Sequence, residues 1–128
     1  MHFEIVHEFD IPLDALELAV ISPTLCQKLA HRLPIMESIQ QKEHVLKDAW
    51  LERVWSYRAN ARLPAFARAY VTPEMMAWDE RSTYDITKHS SEWTITPHVK
   101  PEWRKYFAST GTYLLTGLDS GRTKRTVT

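Results

Sequence analysis

The segment ESIQQKEHVLKDAWLERVWSYRAN, residues 37–60, decides the fold class. Residues 37–46 and residues 50–60 each shift towards the period-two alternation of a half-buried strand, and Lys47-Asp48-Ala49 between them is the predicted turn. On the second strand, one face carries Leu51, Trp55, Tyr57 and Ala59, and the opposite face carries Glu52, Ser56 and Arg58. The segment therefore predicts an antiparallel hairpin with one apolar, aromatic face.

Towards the N-terminus, the pattern changes from a strand to helices. Residues 3–9 alternate in the period of a strand, with Phe3, Ile5, His7 and Phe9 on one side. Leu13, Leu16, Ala19 and Val20 then recur at helical spacing after Pro12, which suits the first turn of a helix. A second short helix is predicted at residues 24–32, before Pro34.

Towards the C-terminus, the sequence predicts further strands at residues 76–86, 92–97 and 103–116, and the beginning of another at 122–128. Residues 63–70, which begin Leu-Pro-Ala, are compatible with one or two helical turns. The order is a strand, two short helices and then an antiparallel meander. The predicted class is α+β, with helices on one side of a curved sheet.

The composition limits the classes of function. A chain of 128 residues suits one domain, and its 16 basic and 16 acidic side chains lack the basic excess that phosphate contacts need, so nucleic acid is not an expected partner. The uncharged stretch at residues 18–27 is far shorter than the ~20 apolar residues of a membrane span. The acidic, alternating N-terminus lacks the pattern of a secretory signal, and Cys26 is the only cysteine. We therefore expect a cytoplasmic protein.

Several short sequence motifs resemble those of a known superfamily. They are PLD at 12–14 after the opening strand, PEMMAWDE at 73–80, YD at 84–85, WTITP at 93–97, and GTY at 111–113 with GRT at 121–123. Together with the order of elements, they resemble the START-like superfamily (SRPBCC, helix-grip), and most of all a bacterial START-like family of unknown function. The resemblance covers nearly the whole chain and rests on structural rather than catalytic motifs. It implies a curved sheet that wraps around a long C-terminal helix and encloses an apolar cavity.

The chain departs from that superfamily at its C-terminus, because no amphipathic helix follows the strand that begins at Arg122. We expect residues 1–128 to form a single START-like domain that is truncated at the C-terminus, or one whose missing wall another molecule supplies. An exposed apolar face of this kind usually means a partner, a membrane contact or aggregation. A homodimer, or a partner that completes the missing helix, would meet this need.

The predicted ligand-binding residues share the apolar face of the sheet. Six are aromatic: Trp55, Tyr57, Trp78, Tyr84, Trp93 and Tyr113. The seventh, Glu80, lies between Trp78 and Ser82 on the same side. Periodicity alone indicates a buried face, which an ordinary packed core would also satisfy. The resemblance implies a cavity for a hydrophobic small molecule or lipid, in which the polar tips of Tyr and Trp orient the ligand.

Two other functions stay open at this point. Some relatives in the superfamily cyclise polyketides, which implies a cyclase/aromatase-type enzyme with Glu80, Arg53 and Tyr84 as candidates. A salt bridge to Arg53 is the simpler expectation for Glu80, because buried carboxylates are usually paired. The other alternative is a protein-interaction module that docks through the open sheet face. Residues 60–75, around Pro64 and Pro73, are the candidate lid over a cavity.

Motifs for metal, nucleophilic or phosphate chemistry are missing from the sequence. The six histidines have no HxH or HExxH spacing, so no metal site is expected. Cys26, beside Leu25 and Leu29 in a predicted helix, is interpreted as a small buried thiol. With three glycines, the chain has no GxSxG elbow, GxGxxG fingerprint or P-loop. We therefore expect no cofactor and assign no catalytic residue.

Overall fold

The computed structural model describes residues 2–59, 64–119 and 121–128. The strands are β1 (Ile5–Phe9), β2 (Met36–Lys47), β3 (Trp50–Ala59), β4 (Ala77–Asp85), β5 (Ser90–Pro97), β6 (Ser109–Leu118) and β7 (Arg122–Val127). The helices are α1 (Leu13–Ile21), α2 (Leu25–Arg32), α3 (Ala65–Arg68), α4 (Pro101–Phe107) and a 3₁₀ helix (Pro73–Met76). The predicted α+β class is confirmed.

The seven strands form one curved antiparallel sheet in the order β1-β7-β6-β5-β4-β3-β2. The predicted hairpin is present, since β2 and β3 pair up to Lys47 and Trp50 on either side of the turn. Asp48 in this turn and His89 in the β4–β5 turn have φ angles of 54° and 55°, a region that Asp and His adopt more readily than bulky residues. Two register shifts in β2 interrupt its pairing with β3, and such bulges bend a strand.

Helices α1 and α2 pack against one face of the sheet, here called the inner face. Leu16 of α1 is buried in the main core, whose other buried members are Leu51, Tyr84, Tyr113, Leu115 and Val127. Cys26 of α2 forms a second cluster with Ile39 and Trp55, and its thiol donates to the Ile39 carbonyl oxygen at 3.3 Å. Burial raises the pKa of this thiol, which is consistent with a structural cysteine.

The main departure from the predicted elements is α4, because the sequence predicts a strand from residue 103 onwards. Pro101 stands in the first turn, where its missing N–H costs no hydrogen bond, and the basic Arg104 and Lys105 lie in the last turn, next to the negative end of the helix dipole. Trp103 and Phe107 are exposed, so their spacing does not reflect a buried face. The strand prediction is wrong for residues 103–107, and β6 begins at Ser109.

The segment between β3 and β4 is the predicted lid. Residues 60–63 of that prediction lie outside the described residues, and so does the beginning of the helical turn predicted at 63–70. The rest contains the short helix α3 and the 3₁₀ helix, which takes up Met76 and delays the start of β4 to Ala77. Within the described part of the chain, no helix has the length and apolar character to cross a membrane.

Candidate ligand-binding site

All seven predicted site residues lie on the inner face of the sheet. The strand register places Trp55 opposite Glu80, Tyr57 opposite Trp78, Trp93 opposite Ser82, and both Tyr84 and Tyr113 opposite Ser91. Because side chains opposite one another in a sheet project to the same side, this register brings the seven residues to one surface. The alternation in the sequence therefore assigns their face correctly.

The helices close part of this face. Tyr84 has no exposed surface, and it and Tyr113 belong to the core that α1 covers. Trp55 is buried beside Cys26 of α2. These three side chains are therefore part of the packed core and do not present an open surface.

The other four residues are half-buried, and we call them the open patch: Tyr57, Trp78, Glu80 and Trp93. The rings of Tyr57 and Trp78 stack nearly parallel, with centroids 5.3 Å apart and an interplanar angle of 9°. The Tyr57 hydroxyl donates to Glu80 Oε2 at 3.0 Å, and no described residue donates to Glu80 Oε1. The open patch thus combines a broad aromatic surface with one carboxylate oxygen that can still accept a hydrogen bond.

The position of the Trp93 side chain depends on the glycine opposite it in the sheet. Gly111 pairs with Trp93 across β5 and β6, and a Cβ atom at position 111 would overlap the indole ring. The indole therefore lies directly against the backbone of β6. Glycine at this position lets a large aromatic side chain lie flat within the open patch.

Arg53 does not pair with Glu80, so the predicted salt bridge is wrong. The Nη1 atom of Arg53 donates to the Val20 carbonyl oxygen at 2.6 Å, and the guanidinium lies 5.0 Å from the centre of the Trp55 ring. Val20 is in the last turn of α1, where backbone carbonyls lack helical partners and carry partial negative charge. Arg53 therefore attaches α1 to the sheet, and Glu80 instead accepts its hydrogen bond from Tyr57.

Sequence reasoning missed two polar residues under α1. Glu17 Oε2 accepts a hydrogen bond of 2.6 Å from the Tyr84 hydroxyl and also contacts His89 Nδ1. A signal for Glu17 was available, because it lies four residues after Leu13 and three before Val20, on the apolar side of the helix. His89 gave no comparable signal, because only the β4–β5 turn brings it to α1.

Raising the pH above about 9 is expected to destabilise the fold partly through Tyr57. Burial and then the neighbouring Glu80 carboxylate raise the pKa of Tyr57. The folded protein therefore keeps a proton that the unfolded chain releases near pH 10, so this stabilisation is present below about pH 10 and is lost as the pH rises further. In urea unfolding, Tyr57→Phe should lose less stability than the parent between about pH 9 and about pH 11. Equal losses in the two proteins would contradict this role of Tyr57.

A separate cavity of about 460 Å³ lies between the 3₁₀ helix and α4. Its lining residues are Thr72, Glu74, Met75, His98, Val99, Lys100, Trp103 and Phe107. Thr72, Glu74 and Met75 of the predicted lid therefore border this cavity, and none of the seven predicted site residues does.

A polar chain approaches this cavity from the outer face of the sheet. Ser56 and His98 both bond to Asp79 Oδ1, at 2.6 Å from the Ser56 hydroxyl and 2.8 Å from His98 Nε2. Burial opposes ionisation of Asp79, but the hydrogen bonds from Ser56 and His98 outweigh it and lower the pKa of the carboxyl. Among residues 2–59, 64–119 and 121–128, no group of three or more His, Cys, Asp or Glu side chains could hold a metal ion.

Comparison with known proteins gives the fold a counterpart among solved structures. No family model matches the chain, and no curated protein matches it in sequence. The crystal structure of the di-domain ARO/CYC StfQ from the steffimycin biosynthetic pathway is similar over 99% of this chain, with a TM-score of 0.57 and 10% sequence identity. The chain spans 36% of the length of that protein. The protein has an α+β architecture with a seven-stranded curved antiparallel sheet and short helices, which is consistent with a helix-grip fold like that of StfQ.

Proposed function

We propose that the protein binds a hydrophobic small molecule or lipid on the inner face of the sheet, beside the helices. The observation that carries the proposal is the open patch, where the stacked Tyr57–Trp78 pair and Trp93 stay half-buried next to a fully packed core. Ligand sites typically combine aromatic walls with a few placed polar groups. The likeness to StfQ supports the proposal at the level of the fold alone.

Burial of apolar surface would supply most of the binding energy. Aromatic side chains offer large areas, and each Å² removed from water contributes about 25 cal/mol. The packed core under α1 and α2 keeps the open patch rigid, because Tyr84 and Trp55 cannot move without disrupting the packing of that core. A rigid aromatic surface loses little conformational entropy when a ligand binds.

Glu80 would orient the ligand. Its Oε2 atom is engaged by Tyr57, and Oε1 can accept a hydrogen bond from a hydroxyl group on the ligand. A carboxylate with one oxygen already hydrogen-bonded and the other available favours ligands that carry a hydrogen-bond donor next to an apolar ring system. Quinizarin, a dihydroxylated anthraquinone, has such a ring system, and its hydroxyl groups donate to its own carbonyl oxygens, so it is a probe of the aromatic surface of the open patch.

An enzyme of the polyketide cyclase/aromatase type is the second candidate, and Glu80 is the observation that favours it. A half-buried carboxylate beside an aromatic surface can act as a general acid or base. The other two candidates are internal: Arg53 attaches α1 to the sheet, and the Tyr84 hydroxyl is held by Glu17. Of these three candidates, Glu80 is therefore the one available for a catalytic role on this face.

The variant Glu80→Gln separates the two functions. The glutamine carbonyl oxygen can still accept from Tyr57, so we expect the quinizarin Kd, measured by calorimetry, to change by less than about tenfold. A protein that only binds its ligand would lose nothing else. Loss of cyclisation of a poly-β-ketone substrate in Glu80→Gln, with quinizarin binding retained, would instead assign the enzymatic function.

A further inference from the structure

We propose that the cavity between the 3₁₀ helix and α4 is a second small-molecule site, which binds a neutral aromatic compound bearing a hydroxyl group. This site is distinct from the open patch. Asp79 and Ser56, which hold His98 at the cavity, alternate along their strands with the inner-face residues and so belong to the outer face. The proposal goes beyond binding on the inner face and stands on different residues.

The size and walls of the cavity fit such a compound. Its volume of about 460 Å³ lies within the range of about 300–1,000 Å³ typical of ligand pockets. Met75 contributes to one side, Trp103 and Phe107 to the other, and the buried Val99 also lines it. Trp103 and Phe107 are 53% and 51% exposed, so a planar ring placed between them and Met75 would remove substantial apolar surface from water.

The imidazole of His98, at the cavity wall, has one nitrogen atom available to accept a hydrogen bond. His98 Nε2 is bonded to Asp79 Oδ1, and no described residue bonds to His98 Nδ1. With the proton held on Nε2 by the carboxylate, the Nδ1 atom of a neutral imidazole is a hydrogen-bond acceptor. The Ser56 hydroxyl donates to the same carboxylate oxygen and fixes it in place. A hydroxyl group on the ligand matches this acceptor.

The charges around the cavity favour a neutral ligand. One acid, Glu74, and two bases, Lys100 and His98, line it, and His98 is paired with the Asp79 carboxylate. A backbone N–H bond, supported by Thr72, lowers the pKa of Glu74, so its carboxylate is ionised at neutral pH and offsets the positive charge of Lys100. A ligand with a net charge would therefore be attracted to one of these groups and repelled by the other.

The test follows the indole N–H resonance of Trp103 by NMR during titration with β-naphthol and with its methyl ether, which has no hydroxyl donor. We expect a saturable shift of Trp103 with β-naphthol and binding about tenfold weaker for the ether. Phe107→Ala should weaken β-naphthol binding by about tenfold or more, because it removes one wall. The matched control is Phe66→Ala, the same substitution at an exposed phenylalanine of α3 that does not line the cavity, and it should bind like the parent.

The preference for β-naphthol over its methyl ether tests whether His98 accepts a hydrogen bond from the ligand. In His98→Ala the two naphthalene compounds should bind equally, and in Asp79→Asn the preference should shrink, since the imidazole is no longer held by a carboxylate. Trp78→Ala should leave the Trp103 titration unchanged, which separates this site from the open patch. The proposal is overturned if Trp103 does not respond to β-naphthol, if Phe107→Ala and Phe66→Ala behave alike, or if the preference persists in His98→Ala.

Discussion

Replacing Trp78 with alanine is expected to raise the Kd for quinizarin on the inner face by about tenfold or more. Trp78 is half-buried, and it stacks on Tyr57 with a centroid distance of 5.3 Å. If a ligand removes about 60 Å² of this indole from water, the contribution is about 1.5 kcal/mol at about 25 cal/mol per Å². Since about 1.4 kcal/mol corresponds to a factor of ten in Kd, loss of the side chain alone gives the expected change. Calorimetric titration measures it directly.

Two further variants make the Trp78 experiment specific. Trp50→Ala removes an exposed tryptophan from the same sheet, but residue 50 alternates with Leu51 and so belongs to the outer face. It should bind quinizarin like the parent. Trp78→Phe keeps a ring that can stack on Tyr57 and should weaken binding less than Trp78→Ala. Equal affinities of the parent and Trp78→Ala, with both proteins folded, would contradict binding at the open patch.

Replacing Tyr84 with alanine is expected to lower the free energy of unfolding by about 3–5 kcal/mol, the range for truncating a buried aromatic residue. Tyr84 is fully buried among Leu16, Leu51 and Tyr113. Its hydroxyl also donates to Glu17 at 2.6 Å, and this bond joins α1 to the sheet. The variant therefore loses core packing and the hydrogen bond together. For a domain of this size, such a loss is a large share of the total stability.

The variant Tyr84→Phe separates these two contributions. It keeps the ring in the core and removes only the hydroxyl that bonds to the Glu17 carboxylate, so the expected loss is about 1.5–3 kcal/mol. Urea unfolding followed by circular dichroism measures both variants. Tyr70→Ala, which truncates a tyrosine that is 80% exposed, is the control and should have little effect. The account of α1 docking fails if Tyr84→Phe is as stable as the parent.

Much of the sheet was predictable, because the inner face is buried along most strands and alternation directly reports burial. Leu51, Trp55 and Tyr84 each fall in a period-two pattern, and the register confirms that they share one face. Alternation cannot reveal how much of that face the helices cover. It therefore could not separate Tyr84, in the packed core, from Trp78, in the open patch.

The errors arose where local pattern and tertiary context disagree. Trp103 and Phe107 resemble strand residues, but Pro101 starts a helix whose aromatic side chains stay exposed. The sequence predicts a salt bridge between Arg53 and Glu80 because both side chains project to the inner face. In the structure, Arg53 instead donates to a backbone carbonyl oxygen at the end of α1. His98 lies in a loop after β5, and only the folded sheet brings Asp79 to it.

The most direct test of the central claim is an NMR titration with quinizarin that follows the indole N–H resonances of the chain's five tryptophans. Three of them, Trp55, Trp78 and Trp93, belong to the inner face, whereas Trp50 belongs to the outer face. Binding at the open patch predicts that Trp78 and Trp93 shift together and saturate at one Kd, while Trp50 does not move. A titration in which the resonances of Trp78 and Trp93 stay unchanged would contradict ligand binding on the inner face.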